Sequence, residues 1–139
     1  MSHKSASIAE LVQSFQGREL DAHYLGYFAL FNQQKFFEAH EVLEELWLPA
    51  RRTAEGDFYK GLIQLTGAFV HLQKKRLRPA AALFKLAQSN LAKYPSPHAR
   101  LNLTAVGLLI DGWQWRLTKD DYLVNPLAAG QPPQLALQT

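Results

Sequence analysis

Apolar side chains recur at three- and four-residue spacing from Ile8 to Trp113, and no segment alternates apolar and polar residues at period two over a useful length. That pattern builds helices and leaves little for a sheet. Residues around 6–16, with Ile8, Leu11, Val12 and Phe15, predict a short leading helix that Gly17 can terminate. Asp21 is a suitable N-cap for a second helix running to about Asn32. Asn32-Gln33-Gln34 reads as a tight turn into a third helix, about 35–48, which Pro49 closes.

A polar connection over 50–56 leads into a fourth helix, about 54–75, with Phe58, Leu62, Leu65, Phe69 and Leu72 on one stripe. Pro79 suits the first turn of a fifth helix over 79–92. Ser96-Pro97 signals the start of the last helix, which runs to about Leu117. Phe36, Ala39, Val42 and Leu43 match Leu77, Ala80, Leu83 and Phe84 at a constant offset. Two helix–turn–helix units therefore look alike, but two are too few for a self-sufficient solenoid. The expected fold is all-α: a compact antiparallel helical bundle of about five to six helices, formed by residues 1–125 as one domain. Beyond Asn125-Pro126 the composition turns to Pro, Gly, Gln and Ala. Residues 126–139 are expected to form an irregular C-terminal tail, ordered only if Leu127, Leu135 or Leu137 finds a groove.

Composition narrows the function classes. A chain of 139 residues can bury one sizeable core. The net charge of +3 is slight, and the basic run Lys74, Lys75, Arg76 and Arg78 lies at a helix end, where cations complement the dipole. No aromatic residues alternate with it to stack bases, so nucleic acid is not an expected partner. The absence of cysteine excludes disulfides, thiol chemistry and thiolate metal sites. The opening MSHKSASIAELVQSFQ lacks the apolar stretch of a signal peptide, and no run is long enough to span a bilayer. No membrane association is expected, and a cytoplasmic location follows by default.

The richest segment is FNQQKFFEAHEVLEELW, residues 31–47. On a helical wheel Phe36, Ala39, Val42, Leu43, Leu46 and Trp47 share one arc, and His40 falls at its edge beside Trp47. Glu44 follows His40 by one turn and Glu41 lies on the same flank, while Glu38 and Glu45 point further out. The fourth helix carries an opposing polar stripe of Lys60, Gln64 and His71, with Gly61 and Gly67 close by. Each helical glycine costs about 1 kcal/mol relative to alanine, so two of them imply that something approaches closely. If a neighbouring helix covers the stripe, Lys60 and Gln64 need partners, which the carboxylates of the third helix can supply.

The run FNQQKFFEAHEVLEELW followed by YKGLIQLTGAFVHLQKKRLRPAAALF resembles the uncharacterised helical family catalogued as domain of unknown function 309, over roughly residues 24–95. The resemblance implies an all-α bundle. It also implies Glu38, His40, Glu41, Glu44 and Trp47 with Lys60 and Gln64 as motif positions, and it implies no activity.

Three functions fit these residues. In the first, a polar pocket between the third and fourth helices, lined by His40, Glu41, Glu44, Trp47, Lys60 and Gln64, binds a small polar or anionic ligand. In the second, His40 and Glu44 serve a metal-assisted hydrolase, since a carboxylate one turn away can fix an imidazole tautomer. The HExxH and ExxH spacings are absent and Lys60 is a competing cation, so no metal site is assigned. In the third, the hairpins form an interaction scaffold, and Lys60 makes a buried salt bridge with Glu41 or Glu44. No particular cofactor is indicated. Trp113 and Trp115 cannot share one buried face, so one of them belongs on an interface or under the tail, which leaves room for a homodimer. His3, His23 and His98 receive no role.

Overall fold

The computed structural model describes residues 6–128 and 130–139; His3 lies outside them. Six helices follow in chain order: α1 Ala6–Ser14, α2 Ala22–Asn32, α3 Phe36–Ala50, α4 Gly56–Gln73, α5 Leu77–Leu91 and α6 Leu103–Lys119. Among the described residues there is no strand, only isolated bridges from Leu101 to His98 and to Leu137. The all-α expectation holds. Each helix packs mainly on its neighbours in sequence: α2 on α3, α3 on α4 and, most extensively, α4 on α5.

Local chemistry sets the helix ends. Asp21 caps α2 by accepting from the His23 amide at 2.7 Å, and Asn102 caps α6 by accepting from the Ala105 amide at 3.0 Å. Two ends depart from expectation. Pro49 does not stop α3 but sits in its final turn, and the helix reaches Ala50. The last carbonyls are then satisfied by Arg51, whose guanidinium donates to Leu48 O, and by Thr53, whose hydroxyl donates to Ala50 O at 2.7 Å. Helix α6 starts at Leu103 rather than after Pro97. Ala99 and Arg100 both have positive φ, and His98 and Leu101 exchange backbone hydrogen bonds at 3.0 and 2.8 Å, so residues 98–101 form a tight turn instead of a first helical turn.

The constant offset seen in the sequence is 41 residues, and it extends to backbone geometry. Helices α2 and α4 end alike. Gln34 has φ 62° and Lys75 φ 60°, Lys35 donates to Leu30 O at 2.9 Å, and Arg76 donates to His71 O at 2.8 Å. Each is a Schellman closure, in which a left-handed residue reverses the chain and satisfies the terminal carbonyls. Buried positions repeat at the same interval in α2, α4 and α6: Tyr24, Leu65 and Val106; Phe28, Phe69 and Ile110; Phe31, Leu72 and Trp113. The molecule is thus two equivalent helical hairpins, α2–α3 and α4–α5, followed by a third helix of the first kind.

The core runs along this stack. Phe69 stacks on Phe36 and meets Phe31, Phe84 and Trp113 edge to face, with centroids 5.0–5.6 Å apart. The Tyr27 hydroxyl donates to Leu62 O at 2.7 Å, joining α2 to α4 through buried polar atoms. Residues 131–138 return across the helix ends. Leu135 is buried, and its amide and carbonyl are both held by the Asn32 side chain at 2.8 Å. Leu127 and Leu137 pack on the core, and the Gln138 amide donates to Arg100 O.

Candidate functional site

Helix α3 buries Phe36, Ala39, Val42 and Leu43 completely, and Leu46 and Trp47 in part, so the arc read from the sequence is its inner face. Glu41 is carried inside with it, only 7% exposed. His40 and Glu44 lie at the margin. His40 Nε2 stands 3.4 Å from Glu44 Oε2, at the outer edge of hydrogen-bond length. Phe37, half exposed, sets its ring 5.9 Å from the imidazole.

On α4 the glycines do mark close approach, and what approaches is α5. A Cβ built at Gly61 would lie 2.9 Å from Leu91, and one at Gly67 would lie 3.0 Å from Leu83. Gln64 is satisfied from the same side: its Oε1 accepts from Asn90 Nδ2 at 2.7 Å. Its partner is therefore an amide of α5 rather than a carboxylate of α3. The seam continues outward, with Lys93 donating to Asn90 Oδ1 at 3.1 Å and to Asp57 Oδ2 at 2.8 Å. The Lys93 hydrogen bond lowers the Asp57 carboxyl below its ordinary pKa, and the charge on Lys60 adds to this.

The structure brings His40 and Gln64 together and leaves Lys60 apart. Both line a groove of about 330 Å³ among α3, α4 and α5, whose other walls are Phe37, Ile63, Gly67, Val70, His71, Lys74 and Leu83. Lys60 is exposed and outside this lining, on the α4 edge that carries Asp57. Glu41, Glu44 and Trp47 are not among the lining residues, although Glu44 touches the groove through His40. Lys74 supplies the groove's cation from the C-terminal cap of α4.

His71 is the most distinctive member. Its Nδ1 is buried without a hydrogen-bond partner. Burial lowers its pKa below 6.5, and the charges of Arg76 and Lys74 lower it further, so the imidazole is neutral at pH 7. The groove thus combines aliphatic walls, a neutral imidazole, a second imidazole backed by a carboxylate, and one ammonium. These groups can hold an apolar body with an anionic or hydrogen-bonding end. Among the described residues, no three His, Cys, Asp or Glu side chains are grouped to hold a metal ion.

One pair escaped the sequence reading altogether. His98 Nε2 lies 2.9 Å from Glu55 Oε2, with the His98 ring 4.5 Å from Phe58 and 4.8 Å from Tyr94. The Tyr94 hydroxyl accepts from the Phe58 amide and donates to Ala54 O. Together they fasten the turn before α6 to the start of α4. Glu55 and His98 are 43 residues apart, and no local spacing announces the contact.

No helix is long and apolar enough to cross a membrane among the described residues. No curated protein and no solved structure matches the sequence. The model of a family described as "Domain of unknown function (DUF309)" matches residues 24–91, which span α2 to α5 and hold His40, Gln64 and His71. Over residues 24–91 the chain resembles that uncharacterised all-helical family, as the motif pairing indicated.

Proposed function

We propose that the chain is a binding module whose site is the groove among α3, α4 and α5. Its ligand is a small molecule with a short aliphatic body and an anionic end. The body lies over Ile63, Val70 and Leu83, the anion meets Lys74, and His40 and His71 direct hydrogen bonds. Glu44 orients His40 from behind. The observation that carries this reading is the unpartnered Nδ1 of His71. An unsatisfied buried polar atom costs about 1–3 kcal/mol, a cost that a ligand's hydrogen bond would offset.

Octanoate, which has both features, is a suitable probe, with octylamine as its charge-reversed control. Titrated into isotope-labelled protein, octanoate should shift the amides of Gly67, His71 and Lys74 together, and octylamine should not. Lys74→Ala should weaken octanoate by about tenfold, the effect of losing one hydrogen bond to a charged group. Equal binding of both probes, or shifts scattered over the surface, would count against the groove.

A second reading, the interaction scaffold, draws on the 41-residue recurrence through α2, α4 and α6, because stacked helical hairpins present extended surfaces to partners. The metal-assisted hydrolase through His40 and Glu44 has no comparable support among the described residues.

A further inference from the structure

The register that relates the two hairpins continues into α6, but the described residues hold no second helix of a third hairpin. Gly26 in α2 and Gly67 in α4 are equivalent, and each faces an aliphatic side chain of the helix that follows. A Cβ built at Gly26 would lie 3.7 Å from Val42, and one at Gly67 would lie 3.0 Å from Leu83. The equivalent residue of α6 is Leu108, which is 68% exposed. Gln64, which bonds across to α5, has Ala105 as its counterpart, also exposed. Among the described residues no helix follows α6. The chain turns at Asp121 and Tyr122, both at positive φ, and runs back to α4, where Asn125 donates to Leu72 O.

The face on which a helix rests twice in this molecule is therefore bare on its third occurrence. It carries Ala105, Leu108, Gly112 and Trp115, the last 63% exposed. Nothing lies within 4 Å of a Cβ built at Gly107 or Gly112, so no contact within the chain accounts for these glycines.

We propose that this face is a contact between two copies of the chain, with α6 packed antiparallel on α6 of the second copy about a two-fold axis near Trp115. The charges select this occupant. Asp111 and Lys119 stand one turn before and one turn after Trp115. One Asp111 oxygen accepts from Gln88 Nε2 of α5 at 2.7 Å and leaves the other to face outward, and Lys119 Nζ lies 5.0 Å from the Trp115 ring, at the edge of the same face. Antiparallel packing about Trp115 sets Asp111 of each copy opposite Lys119 of the other, and Gly112 leaves room for the approach. A parallel pair would align like charges, which is unfavourable, and would also align the helix dipoles. Trp113, on the opposite side of α6, is buried in the core, so Trp115 is free to serve outside it. This contact is separate from the ligand groove, and neither reading depends on the other.

One helix face buries less than the 1,200 Å² or so of a standard interface, so the association is weak and is best followed by sedimentation from about 5 to about 500 µM. The full chain should pass from monomer to dimer over that range, with a blue shift of Trp115 emission. Leu108→Glu should abolish the dimer while leaving the helical signal intact, because Leu108 is already in water in the monomer. Asp111→Lys and Lys119→Asp should each weaken association by about tenfold, and the double exchange should restore it, since it only reverses the direction of both pairs. A chain monomeric at every concentration overturns the proposal, as does a dimer that Leu108→Glu leaves intact or a double exchange that fails to recover.

Discussion

Four helical glycines divide by what surrounds them. Gly61 and Gly67 let α5 settle on α4, whereas Gly107 and Gly112 face open space. Alanine gains about 1 kcal/mol over glycine within a helix. At Gly61 the added methyl must displace the buried side chain of Leu91, and overpacking of this kind costs about 1–3 kcal/mol. Gly61→Ala should therefore lower stability, whereas Gly107→Ala should raise it by about 0.5–1 kcal/mol. Urea denaturation read by circular dichroism compares the two. A rise in both would mean that the α4–α5 seam is loose. The α4 glycines were legible in the sequence as a sign of close approach, but which body approaches is a matter of tertiary register. Lys60 illustrates the same limit. Its wheel position put it near His40, yet α5 covers Gln64 and leaves Lys60 in water. Lys60→Met should accordingly change stability by less than about 0.5 kcal/mol.

His71 makes a prediction of opposite kind, tied to pH. Its folded pKa lies below 6.5 because the imidazole is desolvated and faces Arg76 and Lys74. The unfolded chain takes up this proton more readily than the folded one does. The neutral form's contribution is thus complete above about pH 6.5 and is lost as pH falls through the lowered folded value. Between about pH 7.5 and about pH 5, wild type should lose more urea resistance than His71→Gln, which has no proton to gain. Direct NMR titration of the His71 ring should give a value under 6.5, and a value above it would contradict the burial argument.

At the scale of elements, the two hairpins share a turn as well as a core. Gln34 and Lys75 occupy the left-handed region that L side chains enter at a cost of about 1–2 kcal/mol. Neither side chain supplies the backbone bonds that close the turn. Gln34→Gly and Lys75→Gly should each stabilise the fold, by about 0.5–1 kcal/mol and to a similar extent. A gain at one site and a loss at the other, measured by thermal denaturation, would show that the turns are not equivalent. Helix existence was readable from periodicity, because burial of one face is what stabilises each helix. Ends were less so. Pro49 suggests a terminator, yet one proline is tolerated in a final turn whose carbonyls find side-chain partners. Ser96-Pro97 suggests a helix start, yet the two left-handed residues at Ala99 and Arg100 forbid one there. The recurrence is visible in four apolar pairs, but its extension to α6 is hidden, since among the described residues no second helix follows to complete a unit.

For the whole molecule, the return of residues 131–138 ties the first helix of the stack to the last. Asn32 at the end of α2 holds both backbone groups of Leu135, and two residues later Leu137 pairs with Leu101 just before α6. Gln134 reaches back to Asn32 O at 3.0 Å. Solenoid units depend on their neighbours alone, so a strap joining the two ends adds a contact that stacking cannot provide. Its anchor is a bidentate amide that reads main chain rather than side chain, which explains why the composition of the tail gave no sign of order. Asn32→Ala removes the anchor and leaves the buried Leu135 amide and carbonyl unpaired, a loss of about 1–3 kcal/mol. Hydrogen exchange at Leu135 and Gln138 should quicken strongly in this variant. Exchange in α4, which is packed between α3 and α5, should quicken by no more than the drop in global stability requires. If all amides accelerate by one common factor, the strap unfolds only with the core; if none changes, Asn32 does not hold it.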